Sequence, residues 1–334
     1  MRPIYAAVTI DTESPQTPLF EKRFCDNRFW GDPGGLEEIC AVLEEFGVVG
    51  TFFVNVCEYT VWGREEMAKV VRFLHERGHC VGLHTHPIWV DEKRRENMFQ
   101  LPLPEQRAIL RWGADFIESC SGRRPRLHRA GAYGINADTL EALSLEGFAA
   151  DCSNFSTHHF CRARLPENMP VTVGDLLVLP VTFCRKGSQC VKTDLDWIDP
   201  GDLEQYLNAL ADHEKINYID YSLHSYSLTA TADQFATAHP SADKAATLRR
   251  VLGMLRDNPD VQFVTPDMLT QAPDVQATRE MPAPQSRSAP MAQTPEPKPV
   301  PQNQPSPASH ASAFHHSVSL GDLMAQMAGE GDAA

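Results

Sequence analysis

The chain has 334 residues, 42% of them hydrophobic, with 44 acidic against 30 basic side chains and a formal charge of −14. The apolar share excludes a wholly disordered chain, and the acidic balance argues against nucleic acid as the main partner, because phosphate binding needs a basic face. No stretch reaches the ~20 apolar residues of a membrane span. Ala6–Ile10 is too short for a signal-peptide core, so the expectation is a cytoplasmic protein whose nine scattered cysteines are reduced thiols.

In chain order, strand and helix periods alternate. Ile4–Ile10 reads as a strand, and Leu36–Phe46 as a helix stopped by Gly47. Val48–Val54 is a buried-strand run, Glu65–Arg77 an amphipathic helix, and Cys80–His84 a short strand. Pro104–Cys120 is helical with proline in its first turn, and Arg126–Arg129 is a short strand. Asn136–Glu146 is a helix with Asn136 placed to cap it and Gly147 after it. Phe148–Asp151, Leu176–Phe183, Tyr218–Leu223 and Val261–Val264 complete the strands, with helices Asp202–Glu214 and Ala242–Arg256 among them.

Composition breaks near Gln271. Between Pro273 and Pro307 there are ten prolines in 35 residues, too little apolar surface to offset ordering entropy. Residues 271–334 are therefore expected to be a proline-rich disordered tail; its end, Val318–Ala328, reads first as a frayed terminus and, as the alternative, as a short terminal helix that would dock on a protein partner. The remaining residues, 1–270, fit one α/β domain. Repeated strand–helix units imply a parallel sheet, and seven or eight units favour a (β/α) barrel over an open doubly wound sheet.

In such a barrel the chemistry sits where strands end. Four strand ends carry polar residues: Asp11 and Glu13, His84 and His86, Arg129, and His224. Asp11-x-Glu13 and His84-x-His86 each have spacing two, which puts both members on one face of extended backbone. Two neutral imidazoles and a carboxylate suit a divalent ion, most of all Zn²⁺, and leave a position for water. A second carboxylate would serve as base and a histidine opposite as acid. The adjacent pair His158-His159 points apart and is left out of the site.

These residues resemble the polysaccharide deacetylases of the NodB-homology type (carbohydrate esterase family 4), and in particular the WalW-like subgroup. The resemblance spans most of residues 4–270. It rests on Thr9-Ile10-Asp11-Thr12, Gly50-Thr51-Phe52-Phe53-Val54, Gly78-His79-Cys80-Val81-Gly82-Leu83-His84, Arg129-Ala130-Gly131-Ala132-Tyr133-Gly134 and Leu223-His224. It departs at two places. Thr12 stands where the family has a metal-binding Asp, which moves that role to Glu13. Ile88 stands where the second histidine falls, which moves that role to His86.

The resemblance implies a distorted or incomplete barrel, a divalent metal (Zn²⁺, with Co²⁺, Mn²⁺ or Ni²⁺ as alternatives) and removal of N-acetyl groups from a sugar or glycan precursor. Asp11 would be the general base and His224 the general acid. Arg129 would orient Asp11, and Asp196 would orient His224. Trp197 and Leu223 would wall an acetate-methyl pocket, and a backbone N–H near Tyr133 would meet the oxyanion. The segment Ser14–Gly35, with Trp30, is expected to form an aromatic lid that stacks on sugar. The excess of acids favours a neutral sugar. Two rivals stay open: an amidohydrolase-like enzyme acting on a small or cyclic amide, and a non-catalytic binding protein with a decayed site.

Overall fold

The structure is a computed structural model that describes residues 3–14, 35–211, 217–231, 238–272, 275, 280–281, 319–322 and 324. Its strands are β1 (Ile4–Thr12), β2 (Thr51–Asn55), β3 (Cys80–Thr85), β4 (Leu127–Ala130), β5 (Ala150–Asn154), β6 (Val171–Val173), β7 (Leu176–Pro180), β8 (Phe183–Lys186), β9 (Gln189–Lys192), β10 (Tyr218–His224), β11 (Thr229–Thr231), β12 (Ala238–Pro240), β13 (Val261–Phe263) and β14 (Glu280–Met281). Helices Leu36–Glu45, Arg64–Glu76, Leu103–Ser121, Ala137–Leu145, Pro200–Ala211 and Ala242–Asp257 fall where apolar spacing predicts them. Asn136 caps its helix as expected, accepting from the Thr139 N–H at 2.9 Å.

The main sheet runs β10-β1-β2-β3-β4-β5-β7-β6-β14, with β13 against the start of β1. It is parallel from β10 to β7; β6 runs antiparallel to β7. Among the described residues no ladder joins β14 to β10. The curled sheet is thus an open half-barrel, as the incomplete-barrel expectation has it.

Residue parity divides the core. Ile4, Ala6, Val8 and Ile10 of β1 join Phe52, Val54, Leu83, Ile219, Tyr221 and Leu223 in a layer with the helices. Ala7 joins Phe53, Leu127, Ala150, Cys152 and Tyr218 on the other, concave face. Strands β1–β5, β7 and β10 therefore bury side chains on both faces, the mark of a covered parallel sheet. A fully buried Leu or Ile contributes about 1.5–3 kcal/mol, so this double burial dominates the stability.

Two parts of the fold differ from expectation. The run Leu176–Phe183 is two strands: β7 ends at Pro180, and β8 turns away to form a hairpin with β9. Packing also continues past residue 270. Val275 is buried on the concave side, and Glu280–Met281 pairs with β6. Further on, the Leu320 N–H donates to the Val90 carbonyl at 3.0 Å, and Leu320 is buried in the main core with Met324 packed beside it. The described part of the C-terminal segment lies against the chain's own body.

Candidate active site

Strand alternation aims the site residues. Asp11 pairs in register with His224, Asn55 with His84, and His84 with Arg129, so the inward members of β1, β10, β2, β3 and β4 meet at the carboxyl end of the sheet. Glu13 follows Asp11 by two residues on the same side. The Thr12 hydroxyl turns back to the Ile10 carbonyl instead.

Glu13, His84 and His86 come together: one ligand atom from each lies within 4.8 Å of the others, and all three residues are buried. Glu13 Oε2 is 2.8 Å from His86 Nε2 and 3.4 Å from His84 Nε2. Burial opposes the charge on Glu13, but His86 and His84 outweigh it and hold the carboxyl well below its ordinary range. Among the described residues, neither ring nitrogen of His84 has a hydrogen-bond partner. A buried imidazole with unsatisfied nitrogens beside an ionised carboxylate is a donor set that fits a divalent cation.

Asp11 adjoins this triad. Its Oδ1 accepts from Arg129 Nη1 at 3.0 Å. Burial again opposes the charge, and Arg129, helped by His84 and His224, overcomes it and lowers the carboxyl. Arg129 is itself buried and, among the described residues, makes four hydrogen bonds. It donates to Cys152 O, Thr9 Oγ1, Asp11 and Asp220, and its guanidinium lies 4.6 Å from the centre of the Phe53 ring. His224 stands across the site, with Nε2 3.9 Å from Glu13 Oε1, its ring stacked on Tyr226. These six residues (Asp11, Glu13, His84, His86, Arg129 and His224) converge as the sequence predicts.

The remaining candidates fare differently. Asp196 does not meet His224 directly: among the described residues no hydrogen bond joins them. It accepts from Ser227 Oγ at 2.6 Å and from Lys244 at 2.6 Å, and Ser227 Oγ accepts the His224 backbone N–H at 2.9 Å. Its hold on His224 runs through the loop. Leu223 is 1% exposed in the helix-side core, because its neighbour His224 takes the concave face. It cannot wall a pocket at the site, and that expectation is corrected. Trp197 is 72% exposed, with Ile198 buried in its place, so it closes no acetate pocket. Trp30 and most of Ser14–Gly35 lie outside the described residues.

Tyr133 sits in a tight turn. Ala132 and Tyr133 have φ of +48° and +57°, both left-handed, a conformation that non-glycine residues adopt only under constraint. The Tyr133 hydroxyl accepts from Lys192 Nζ at 2.7 Å, and Lys192 also pairs with Asp194 at 2.7 Å. Just before the turn, Gly131 faces the His86 imidazole: a Cβ there would lie 2.3 Å from the ring. Only glycine leaves room for His86 in its present place.

Sequence reasoning missed three residues. Asp220 completes the Arg129 clamp, and its signal was an acid inside an apolar strand on the same face as His224. Glu58 is wholly buried and accepts from Ser14 N–H, Ser14 Oγ, Asn55 Nδ2 and Trp62 Nε1, so it anchors the residue after Glu13. Burial and the charge on Glu13 push its carboxyl up to about 7. Gly131 had no signal beyond its place in the Arg129 motif.

Comparison with known proteins agrees with the resemblance. Residues 27–150 match the family model of the polysaccharide deacetylases, a span that contains His84, His86, Arg129 and Tyr133. No curated protein sequence matches the chain. A Mycobacterium smegmatis structure, assigned provisionally as a polysaccharide deacetylase, is 19% identical with a TM-score of 0.57, covering 86% of this chain and 98% of that one. The PuuE allantoinase structure is 14% identical with a TM-score of 0.52, covering 80% and 88%. A 4-α-glucanotransferase from Thermococcus litoralis is 13% identical with a TM-score of 0.51, covering 80% and 40%. The chain shares a fold with all three, and it resembles the polysaccharide deacetylases in sequence.

Proposed function

We propose that the chain is a metal-dependent deacetylase that hydrolyses the acetamide of an N-acetylated amino sugar or glycan. The observation that supports this most is the convergence of Glu13, His84 and His86 beside an Asp11 held by Arg129, in a chain that matches the polysaccharide deacetylase model. Glu13, His84 and His86 would hold the ion, with Zn²⁺ favoured by the mixed nitrogen and oxygen set. When bound, it supplies Lewis acidity that polarises the acetyl carbonyl and acidifies water.

The chain's own residues do the rest. Asp11 takes the proton of the attacking water, and Arg129 keeps Asp11 ionised and aimed. The water oxygen bonds to the carbonyl carbon. His224, on the opposite wall, gives a proton to the nitrogen as the C–N bond breaks, releasing acetate and a free amine. A backbone N–H at the Tyr133 turn is the donor we assign to the oxyanion; one such donor contributes about 3 kcal/mol to lowering the barrier.

The fold shared with an allantoinase supports one rival, hydrolysis of a small or cyclic amide. A substrate panel decides between them: N-acetylglucosamine oligomers beside cyclic ureides and simple amides, with acetate, ammonia and ring-opened product measured separately. Acetate release from the oligomers is the expected result. Ring opening of a ureide without acetate release would replace the proposal with its rival.

A further inference from the structure

Behind the site, on the helix-facing side of the sheet, lies a second polar cluster that the chemistry above does not use. Thr85 Oγ1 is 2.9 Å from His128 Nε2, and His128 Nδ1 is 2.8 Å from Asp151 Oδ1. Asp151 also accepts from Ser153 Oγ at 2.8 Å and from the Ser153 N–H at 3.0 Å. Ser153 Oγ in turn accepts the Ala130 N–H at 2.8 Å. Thr85, His128, Asp151 and Ser153 are each fully buried.

The donor pattern fixes the ring. Three donors converge on Asp151, so His128 Nδ1 carries its hydrogen toward it, and Nε2 is left to accept from the Thr85 hydroxyl. Burial outweighs the pull of Asp151 and lowers the basicity of His128, in keeping with a neutral ring. The chain Thr85→His128→Asp151 is therefore satisfied end to end.

Its location gives it a role. Thr85 is the residue between His84 and His86. His128 is next to Arg129. Asp151 is next to Cys152, whose carbonyl accepts Arg129 Nε at 3.0 Å. Neighbours along a strand face opposite ways, so holding Thr85 and His128 on one side holds the site residues on the other. The pin adds to a short backbone ladder: β4 pairs with β5 at Leu127↔Ala150 and His128↔Asp151.

We infer that Thr85, His128 and Asp151 form a buried pin across β3, β4 and β5 that positions His84, His86 and Arg129 from behind. The three are positioning residues, touching neither substrate nor ion. The inference rests on the reading of His84 and His86 as metal ligands, and partners one layer removed from a metal typically change its affinity about 10–100-fold.

The test uses the full chain with Thr85→Val, which keeps the shape and removes the hydroxyl, and Thr85→Ser, which restores it. Leu248→Ala, far away in helix Ala242–Asp257, controls for lost stability alone. Three quantities are read: the thermal midpoint, Co²⁺ affinity with its visible spectrum, and the imidazole NMR signals of His84 and His86 without metal. Thr85→Val is expected to weaken Co²⁺ binding at least about tenfold and to shift both rings. Thr85→Ser should recover both, and Leu248→Ala should lose stability with Co²⁺ affinity unchanged. Wild-type Co²⁺ affinity and unmoved ring signals in Thr85→Val would overturn the pin. If the wild-type chain binds no Co²⁺, the metal reading fails separately, and the ring signals alone judge the pin. Should Thr85→Val not fold, Asp151→Asn gives the same readouts under the same criteria.

Discussion

Asp11 is the base in the proposed reaction, and burial and Arg129 act on its charge in opposite ways. Burial makes its charge costly, and Arg129, held by Cys152, Thr9 and Asp220, makes the charge worth keeping. Asp11→Asn removes the base and is expected to lower kcat by about 10²–10⁴ with substrate affinity retained, as measured by acetate release beside oligomer binding. Gly131→Ala places a methyl group against the His86 ring. It is expected to cost about 1–3 kcal/mol in thermal unfolding and to weaken metal binding in a direct titration. An unchanged titration would mean that His86 is free to move. The D-x-E and H-x-H pairs were legible because spacing two needs no knowledge of partners. Asp220 and Glu58 were not, because their partners come from distant segments: Arg129 lies 91 positions before Asp220, and Ser14 lies 44 before Glu58. Leu223 was misread for a simpler reason: beside an inward histidine on a strand, parity sends it outward.

Among the elements, the long amphipathic helices were readable to within a few residues, because their stops are local: Gly47, Gly78, Gly122 and Gly147 all take positive φ where a helix or its last turn ends. The short strands β6, β9, β11 and β12 were not read, since three or four residues carry no period without the partner that completes them. One inter-helix contact has a pH signature. Glu146, at the end of helix Ala137–Leu145, accepts from Arg107 at 2.7 Å and from Arg111 at 2.8 Å, both on helix Leu103–Ser121. Burial opposes its charge, but Arg111 and Arg107 outweigh it and lower the carboxyl. A lowered carboxyl adds stability above its unfolded value and loses it as pH falls through its folded value. Glu146→Gln is therefore expected to cost about 1–2 kcal/mol at pH 7, with the gap to wild type closing below about pH 4. A constant gap in urea titrations across that range would count against the ionic contact.

At the scale of the whole molecule, the half-barrel was legible as repeated strand–helix units, while its closing elements were not. The edge strand β14 and the seat of Leu320 depend on contacts between the body and a region whose composition reads as tail. Leu320→Asp is expected to release that contact and lower the thermal midpoint by about 2–6 °C, with metal affinity unchanged; an unchanged midpoint would mean that the segment adds no stability. The fold itself is shared with a glucanotransferase and an allantoinase, so it does not select the reaction. In the proposed reading the selection lies with Glu13, His84, His86 and Asp11. The most direct test is acetate release from N-acetylglucosamine oligomers by the full chain, stripped of metal and then reloaded. The account predicts loss of activity on stripping and its return with Zn²⁺ or Co²⁺. Undiminished acetate release by the metal-free chain would contradict it.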